Sequence, residues 1–150
     1  MKKILIAILI ILSTSISVVH ANQKSDTSDI FKTYSENIST VTKNIELFAK
    51  QGIDNKENQK DINKDVQSAK FLISEINTLK TNIQSKRDPK NKDVNLYIDE
   101  IDLILTSYNH SLNYLIEYLL SKDPQVKYNS LSEFFYTFEN AKRQFNNLTK

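Results

Sequence analysis

The sequence contains no cysteine, and beyond its first 21 residues it contains no methionine and only one histidine, His110. Without a thiol, the chain cannot form a disulfide, use a cysteine nucleophile, attach a c-type haem or build a cysteine zinc site. Haem held by histidine and methionine is excluded, and there is no Glu-x-x-His motif to hold two irons in a helical bundle. A serine–histidine–aspartate triad would depend on His110 alone. We therefore predict that the protein has no cofactor or metal and is not an enzyme.

Glycine and proline are also scarce, with one glycine and two prolines in 150 residues. A sheet protein with tight turns uses these residues at many positions, because they supply the backbone angles that turns require. A phosphate-binding loop needs several glycines close together, so this kind of site is excluded as well. The composition therefore favours an all-α fold.

The N-terminal segment has the pattern of a signal peptide. Two lysines precede nine consecutive apolar residues, 4–12, and Val19-His20-Ala21 resembles a cleavage site. A spanning helix needs about 20 apolar residues, so this run is too short to favour anchoring. We expect a signal peptide over 1–21 that is cleaved after Ala21, a flexible tail over 22–28, and export to the periplasm or the outside of the cell. The alternative is an uncleaved leader that stays in the membrane as an anchor.

Basic and acidic residues are equal in number when this segment is left out. The whole chain has 20 basic and 18 acidic residues, and residues 1–21 hold two lysines and no acid, which leaves 18 of each. Non-specific binding of nucleic acid requires a basic excess or a basic stripe. We therefore predict no nucleic-acid partner, and contact with a membrane only during export unless the leader is retained.

Apolar residues recur in alternating steps of three and four in four separate stretches of the remaining chain. This heptad spacing is typical of helices that pack against one another with a left-handed crossing. The longest seam of this kind is Val94, Ile98, Ile101, Leu105, Tyr108, Leu112, Leu115 and Leu119. The other three seams are Phe31, Tyr34, Ile38, Val41, Ile45 and Phe48; Ile62, Val66, Ala69, Ile73, Ile76 and Ile83; and Leu131, Phe134, Phe138, Ala141, Phe145 and Leu148.

These seams predict four helices of similar length, over about residues 29–51, 61–87, 94–121 and 124–149. Similar lengths and short connections favour an antiparallel up-down-up-down four-helix bundle with coiled-coil-like heptad seams, spanning 29–150. Burial of the seams alone is too small to offset the loss of chain entropy, so the flanking apolar residues should be buried too. These flanking residues are Leu72, Leu79, Tyr97, Ile104, Ile116 and Phe135.

Residues with known preferences for helix ends stand near each boundary. We expect Gly52 at the position that follows the first helix, and Asp88-Pro89 to end the second. The expected N-caps are Ser28, Asp61, Asp93 and Asp123, the last followed by Pro124 at the first helical position.

Lys80 occupies a position where the second seam calls for an apolar residue. Its chain either runs past Leu79 to water or carries its charge to a carboxylate on a neighbouring helix.

The third predicted helix carries a second apolar stripe on the side away from its seam. Leu96, Leu103 and His110 are seven residues apart, and Tyr114 lies one turn beyond His110. Because the back of a solvated helix is usually polar, we interpret these four residues as a candidate surface for a protein partner or for self-association. Alternatively, they are isolated exposed residues of the ordinary kind, or the N-terminal tail folds over them.

The carboxylates of this helix, Asp99, Glu100 and Glu117, lie off the seam. We expect them to be solvated rather than to form an acid–base pair, which would require environments that separate their pKa values.

The sequence therefore predicts an exported, non-enzymatic helical bundle that acts by binding another protein. Two alternatives stay open: a carrier of an apolar small ligand in the bundle interior, and a membrane-active protein that opens its bundle.

Overall fold

The computed structural model describes residues 27–54 and 59–149 as four helices, with no strand in either range. The helices run in chain order as α1 Thr27–Asp54, α2 Gln59–Gln84, α3 Lys92–Leu120 and α4 Pro124–Leu148. The predicted all-α four-helix bundle is confirmed, and each predicted boundary moves by at most three residues. The expected signal peptide lies outside the described residues, as does the expected tail except for Thr27 and Ser28, which begin α1.

α1 and α3 run in the same direction. The rings of Phe31 and Tyr97 are 5.1 Å apart between centroids, and eleven residues farther along both helices Thr42 is hydrogen-bonded to Tyr108. The two helices therefore keep a constant register over about three turns.

α2 and α4 run opposite to α3. Asn109 Nδ2 donates to Asn77 Oδ1 at 2.7 Å, whereas Lys80, later in α2, approaches Asp102, earlier in α3. α4 follows α3 after only three residues, 121–123, and folds back along it. The chain thus goes up, down, up and down, as the similar helix lengths predict.

The four seams meet in one core. All eight seam residues of α3 are buried, as are five of the six in α1. α3 packs most extensively against α4 and also contacts α1 and α2, which makes it the central element of the bundle. Within 27–54 and 59–149 no helix is both long enough and apolar enough to cross a membrane.

Phe135 does not lie in the core, contrary to the expectation. Its side chain is 47% exposed, and its ring meets Phe134 edge-on at 5.1 Å. Phe134 and Phe138 point inward and stack on each other, so they fill the space that α4 shares with the other helices. Phe135 follows Phe134 by about 100° around the helix and is turned out of the core.

Gly52 does not terminate α1, contrary to the expectation. The helix continues to Asp54, no glycine has a positive φ angle, and Gly52 is buried. Ile53 packs against the core in the next position, which explains why the helix extends beyond the glycine. A Cβ atom at residue 52 would lie 3.6 Å from Leu119 Cδ2 of α3, an ordinary van der Waals contact.

The expected N-cap is correct for α4 and wrong for α3. Asp123 Oδ1 accepts hydrogen bonds from Gln125 N at 2.8 Å and Val126 N at 3.3 Å, with proline as the first helical residue. In α3 the cap is Asn91, whose side chain accepts from Val94 N at 3.1 Å.

The remaining expected helix ends are displaced by a few residues. Asp93 and Asp61 lie in the first turns of α3 and α2, where their charge still suits the helix dipole, rather than at caps. α1 begins at Thr27, one residue before the expected cap, and α2 ends at Gln84, before Asp88-Pro89.

Candidate interaction surface

The outer stripe of α3, which we define as Leu96, Leu103, His110 and Tyr114, lies on the side of the helix away from the core. Leu96 is 62% exposed and Leu103 is 56% exposed, and His110 is exposed as well. Tyr114 is half-buried and packs against the edge of the core. The structure therefore places three of the four candidate residues at the surface and the fourth at its border.

No residue within 27–54 or 59–149 covers Leu96 or Leu103 fully, because the other helices occupy the remaining sides of α3. The alternative that the N-terminal tail folds over the stripe concerns residues outside these ranges. Asp102 faces α2 through Lys80, the buried Ile104 faces α4, and Tyr108 points toward α1. Residues spaced by seven stay on one side of a helix, since seven residues make nearly two turns. Leu96 and Leu103 therefore lie on the outer side of α3, exposed to solvent.

A surface groove opens beside Leu103, between α3 and the last turns of α4. Its volume is about 450 Å³. Leu103 and Ile104 line it together with Leu148, and the polar lining comes from Glu100, Gln144 and Asn147. The heptad pattern does not predict this groove, because the shape of the groove depends on where α4 ends along α3.

The charges along the outer side of α3 are unevenly distributed. Lys92 stands exposed at its N-terminal end, while Glu100 and Glu117 are exposed at its middle and its C-terminal end. A third exposed acid, Asp99, is paired with Arg87 of the α2–α3 connection. Ser130 Oγ of α4 lies 2.8 Å from Glu117 Oε2. These carboxylates are solvated, as expected from their positions off the seam.

Lys80 pairs with a carboxylate of a neighbouring helix, the second of the two alternatives that its seam position allowed. Its Nζ lies 3.5 Å from Asp102 Oδ2 and donates a hydrogen bond to Thr106 Oγ1, so its charge meets a carboxylate on α3. Both side chains of the ion pair are partly exposed, at 25% and 31%. An ion pair of this exposure contributes little to the stability of the fold.

The described residues contain no group of three or more histidine, aspartate or glutamate side chains that could hold a metal ion. No protein family, curated protein or solved structure shows significant similarity to the chain.

Proposed function

We propose that this chain is an exported, non-enzymatic helical bundle that acts by binding another protein through the outer stripe of α3. The observation that supports the proposal is the alignment of Leu96 and Leu103, both more than half exposed, on one side of the central helix. Aligned exposed apolar residues are characteristic of contact surfaces, because a partner that covers them removes apolar area from water.

Exposed apolar side chains also lie on α4, where Tyr136 is 69% exposed, and on α1. Tyr128 and Phe135 of α4 are also seven residues apart and exposed. The next residue in that series is Lys142, whose Nζ is paired with Glu46 of α1, so the series ends in an ion pair. Leu47 of α1, which is 53% exposed, is flanked by lysines at 43 and 50. A single exposed residue such as Leu47 is ordinary in folded proteins.

Export is supported by the sequence of residues 1–21 alone. Intact-mass measurement of the protein recovered outside the cytoplasm should give a chain that begins at Asn22. A mass that includes residues 1–21 would instead indicate a membrane-anchored protein that displays the same bundle.

The binding function can be tested by affinity capture from envelope and culture fractions with matched variants. Leu103→Glu places a charge at the centre of the outer stripe, whereas Leu47→Glu places the same charge at a similarly exposed leucine on α1. We expect Leu103→Glu to lose the captured protein while Leu47→Glu retains it, with both variants as helical as the wild type. Equal capture by both variants would contradict the proposal. Unfolding of Leu103→Glu would show that the stripe is part of the core.

A further inference from the structure

We propose that the protein that covers the outer stripe is a second copy of this chain, packed antiparallel about a two-fold axis at Leu103. This inference rests on the proposed binding function and specifies its partner. In such a pair each residue of α3 lies opposite the residue equally far on the other side of Leu103. Leu96 then faces His110 of the second copy, and Lys92 faces Tyr114 with Glu117 one turn beyond it. The apolar positions meet at the centre, and the charged positions meet at both ends.

The charges of the stripe favour this direction over the parallel one. Lys92 and Glu117 are both exposed, and neither belongs to an ion pair among the residues that the structure describes. An antiparallel pair brings lysine to glutamate twice, because the two-fold axis repeats every contact. A parallel pair would set each of Lys92, Glu100 and Glu117 against its own copy. Like charges placed opposite each other disfavour a complex.

Lys92 and Glu117 each lie at the end of α3 where the helix dipole disfavours their charge. Lys92 is the first residue of α3, and Glu117 lies in its last turn. The helix dipole favours anions at the N-terminus and cations at the C-terminus, so both charges oppose it. The stability of an isolated α3 does not account for either residue. In the antiparallel pair, by contrast, each supplies the partner of the other, and Glu117 can keep its contact with Ser130 because a carboxylate accepts several hydrogen bonds.

The size of the stripe indicates a weak complex. Residues 92–117 extend over roughly 38 Å at about 1.5 Å per residue, and a helix face is about 10 Å wide. Two copies would therefore bury on the order of 800 Å² in total, below the roughly 1,200 Å² at which stable complexes begin. We expect reversible association that becomes visible between about 10 µM and about 1 mM protein.

Charge reversal tests the direction of packing by sedimentation equilibrium of the purified protein. Lys92→Glu and Glu117→Lys should each weaken dimerisation roughly tenfold, since each creates two like-charged contacts. The double variant Lys92→Glu/Glu117→Lys should restore the wild-type constant, because the pairs are re-formed with their signs exchanged. Failure of the double variant to recover, with normal helix content, would overturn the antiparallel arrangement.

Cysteine cross-linking tests the axis, and the absence of natural cysteine makes every cross-link assignable. Leu103→Cys should form a disulfide dimer by itself under mild oxidation. Leu96→Cys and His110→Cys should cross-link efficiently only when the two variants are mixed. Self-cross-linking of Leu96→Cys at the rate of Leu103→Cys would indicate parallel packing and overturn the inference.

The outcomes also separate this inference from the proposed function. A wild-type protein that stays monomeric up to about 1 mM, yet captures another protein in a manner lost in Leu103→Glu, would refute the second copy and leave the binding function intact. A monomer that captures nothing would refute both. Dimerisation that Leu103→Glu abolishes and Leu47→Glu preserves would support both.

Discussion

The hydroxyl group of Tyr108 donates a hydrogen bond to Thr42 Oγ1 across the core, with 2.7 Å between the oxygens. The direction is fixed by Thr42, whose single hydroxyl hydrogen is directed to Ile38 O at 2.8 Å. Both side chains are buried, so neither oxygen can exchange this partner for water. The bond joins α1 to α3 between residues 66 apart in the chain, and it fixes the position of α1 along the axis of α3.

Tyr108→Phe should lower the free energy of unfolding by about 1–2 kcal/mol, because it leaves Thr42 Oγ1 buried without a donor. Denaturant unfolding followed by circular dichroism would measure the change. Thr42→Val is the matched control, since it removes the other partner at nearly constant volume. The double variant Thr42→Val/Tyr108→Phe should be more stable than the sum of the two single losses predicts. Strict additivity would show that the two hydroxyl groups are not coupled.

Stability should fall steeply in alkaline solution. Burial raises the pKa of Tyr108 from its ordinary value of 10.0 to about 12, and the hydrogen bond that it shares with Thr42 offsets only part of this rise. Between these two values the unfolded chain releases this proton and the folded chain retains it, so the unfolded state gains free energy of ionisation as the pH rises. The loss amounts to roughly 1.4 kcal/mol per pH unit at most from this group.

Burial also raises the pKa of Tyr34 and of Tyr97, which act in the same direction. The contribution of Tyr108 can be isolated by comparing the wild type with Tyr108→Phe at pH 8 and at pH 11. We expect the difference in stability between the two proteins to shrink at the higher pH. A difference that stays constant would show that Tyr108 titrates normally.

Phe138→Ala should cost about 3–5 kcal/mol, as the loss of a large buried aromatic side chain does. Phe138 is 3% exposed, and its ring packs on those of Tyr108 and Phe134. Phe135→Ala provides the control, because Phe135 is the same residue type three positions away and is turned outward. We expect less than about 1 kcal/mol for the control in the same unfolding experiment. Similar losses for both variants would contradict the orientation of α4.

Gly52→Ala should stabilise the protein by about 0.5–1 kcal/mol. Residue 52 is helical, and the added Cβ meets Leu119 at an ordinary contact distance of 3.6 Å. Alanine gives up less backbone freedom on folding than glycine does, and it therefore favours the helix. If Gly52 instead ended α1 in the left-handed region, the same substitution would be destabilising. The sign of the measured change in stability therefore distinguishes a helical from a left-handed conformation of residue 52.

The seams were predictable because a heptad pattern reports directly which side of a helix is buried. All eight predicted positions of α3 lie in the core. The outward position of Phe135 was not predictable, because phenylalanine is apolar wherever it stands and only the neighbouring helices decide whether space exists for it. Likewise, Asn91 and Asp93 are both good caps, and the choice between them depends on backbone angles that the sequence leaves open.

The candidate surface was predictable only in part. The spacing of Leu96 and Leu103 indicated that they share a side opposite the seam, and this is where they lie. The groove beside Leu103 could not be predicted, since Gln144 and Asn147 reach it only through the pairing of α4 with α3. The buried hydrogen bond of Thr42 could not be predicted either, because in the sequence a buried hydroxyl group near a seam cannot be told from a solvated one.

The connection of only three residues between α3 and α4 has a consequence for how the chain acquires its fold. Contacts within this hairpin are local in sequence, whereas α1 reaches α3 across 66 residues. Loop closure is less costly for the shorter separation, so we expect the hairpin to form first and α1 to join last. Pulse-labelling hydrogen exchange during refolding would reveal this order as earlier protection of amides in α3 and α4. If the chain is exported with its N-terminus first, as proposed above, the fastest-forming unit would emerge last, after the segments of α1 and α2 that pack against it.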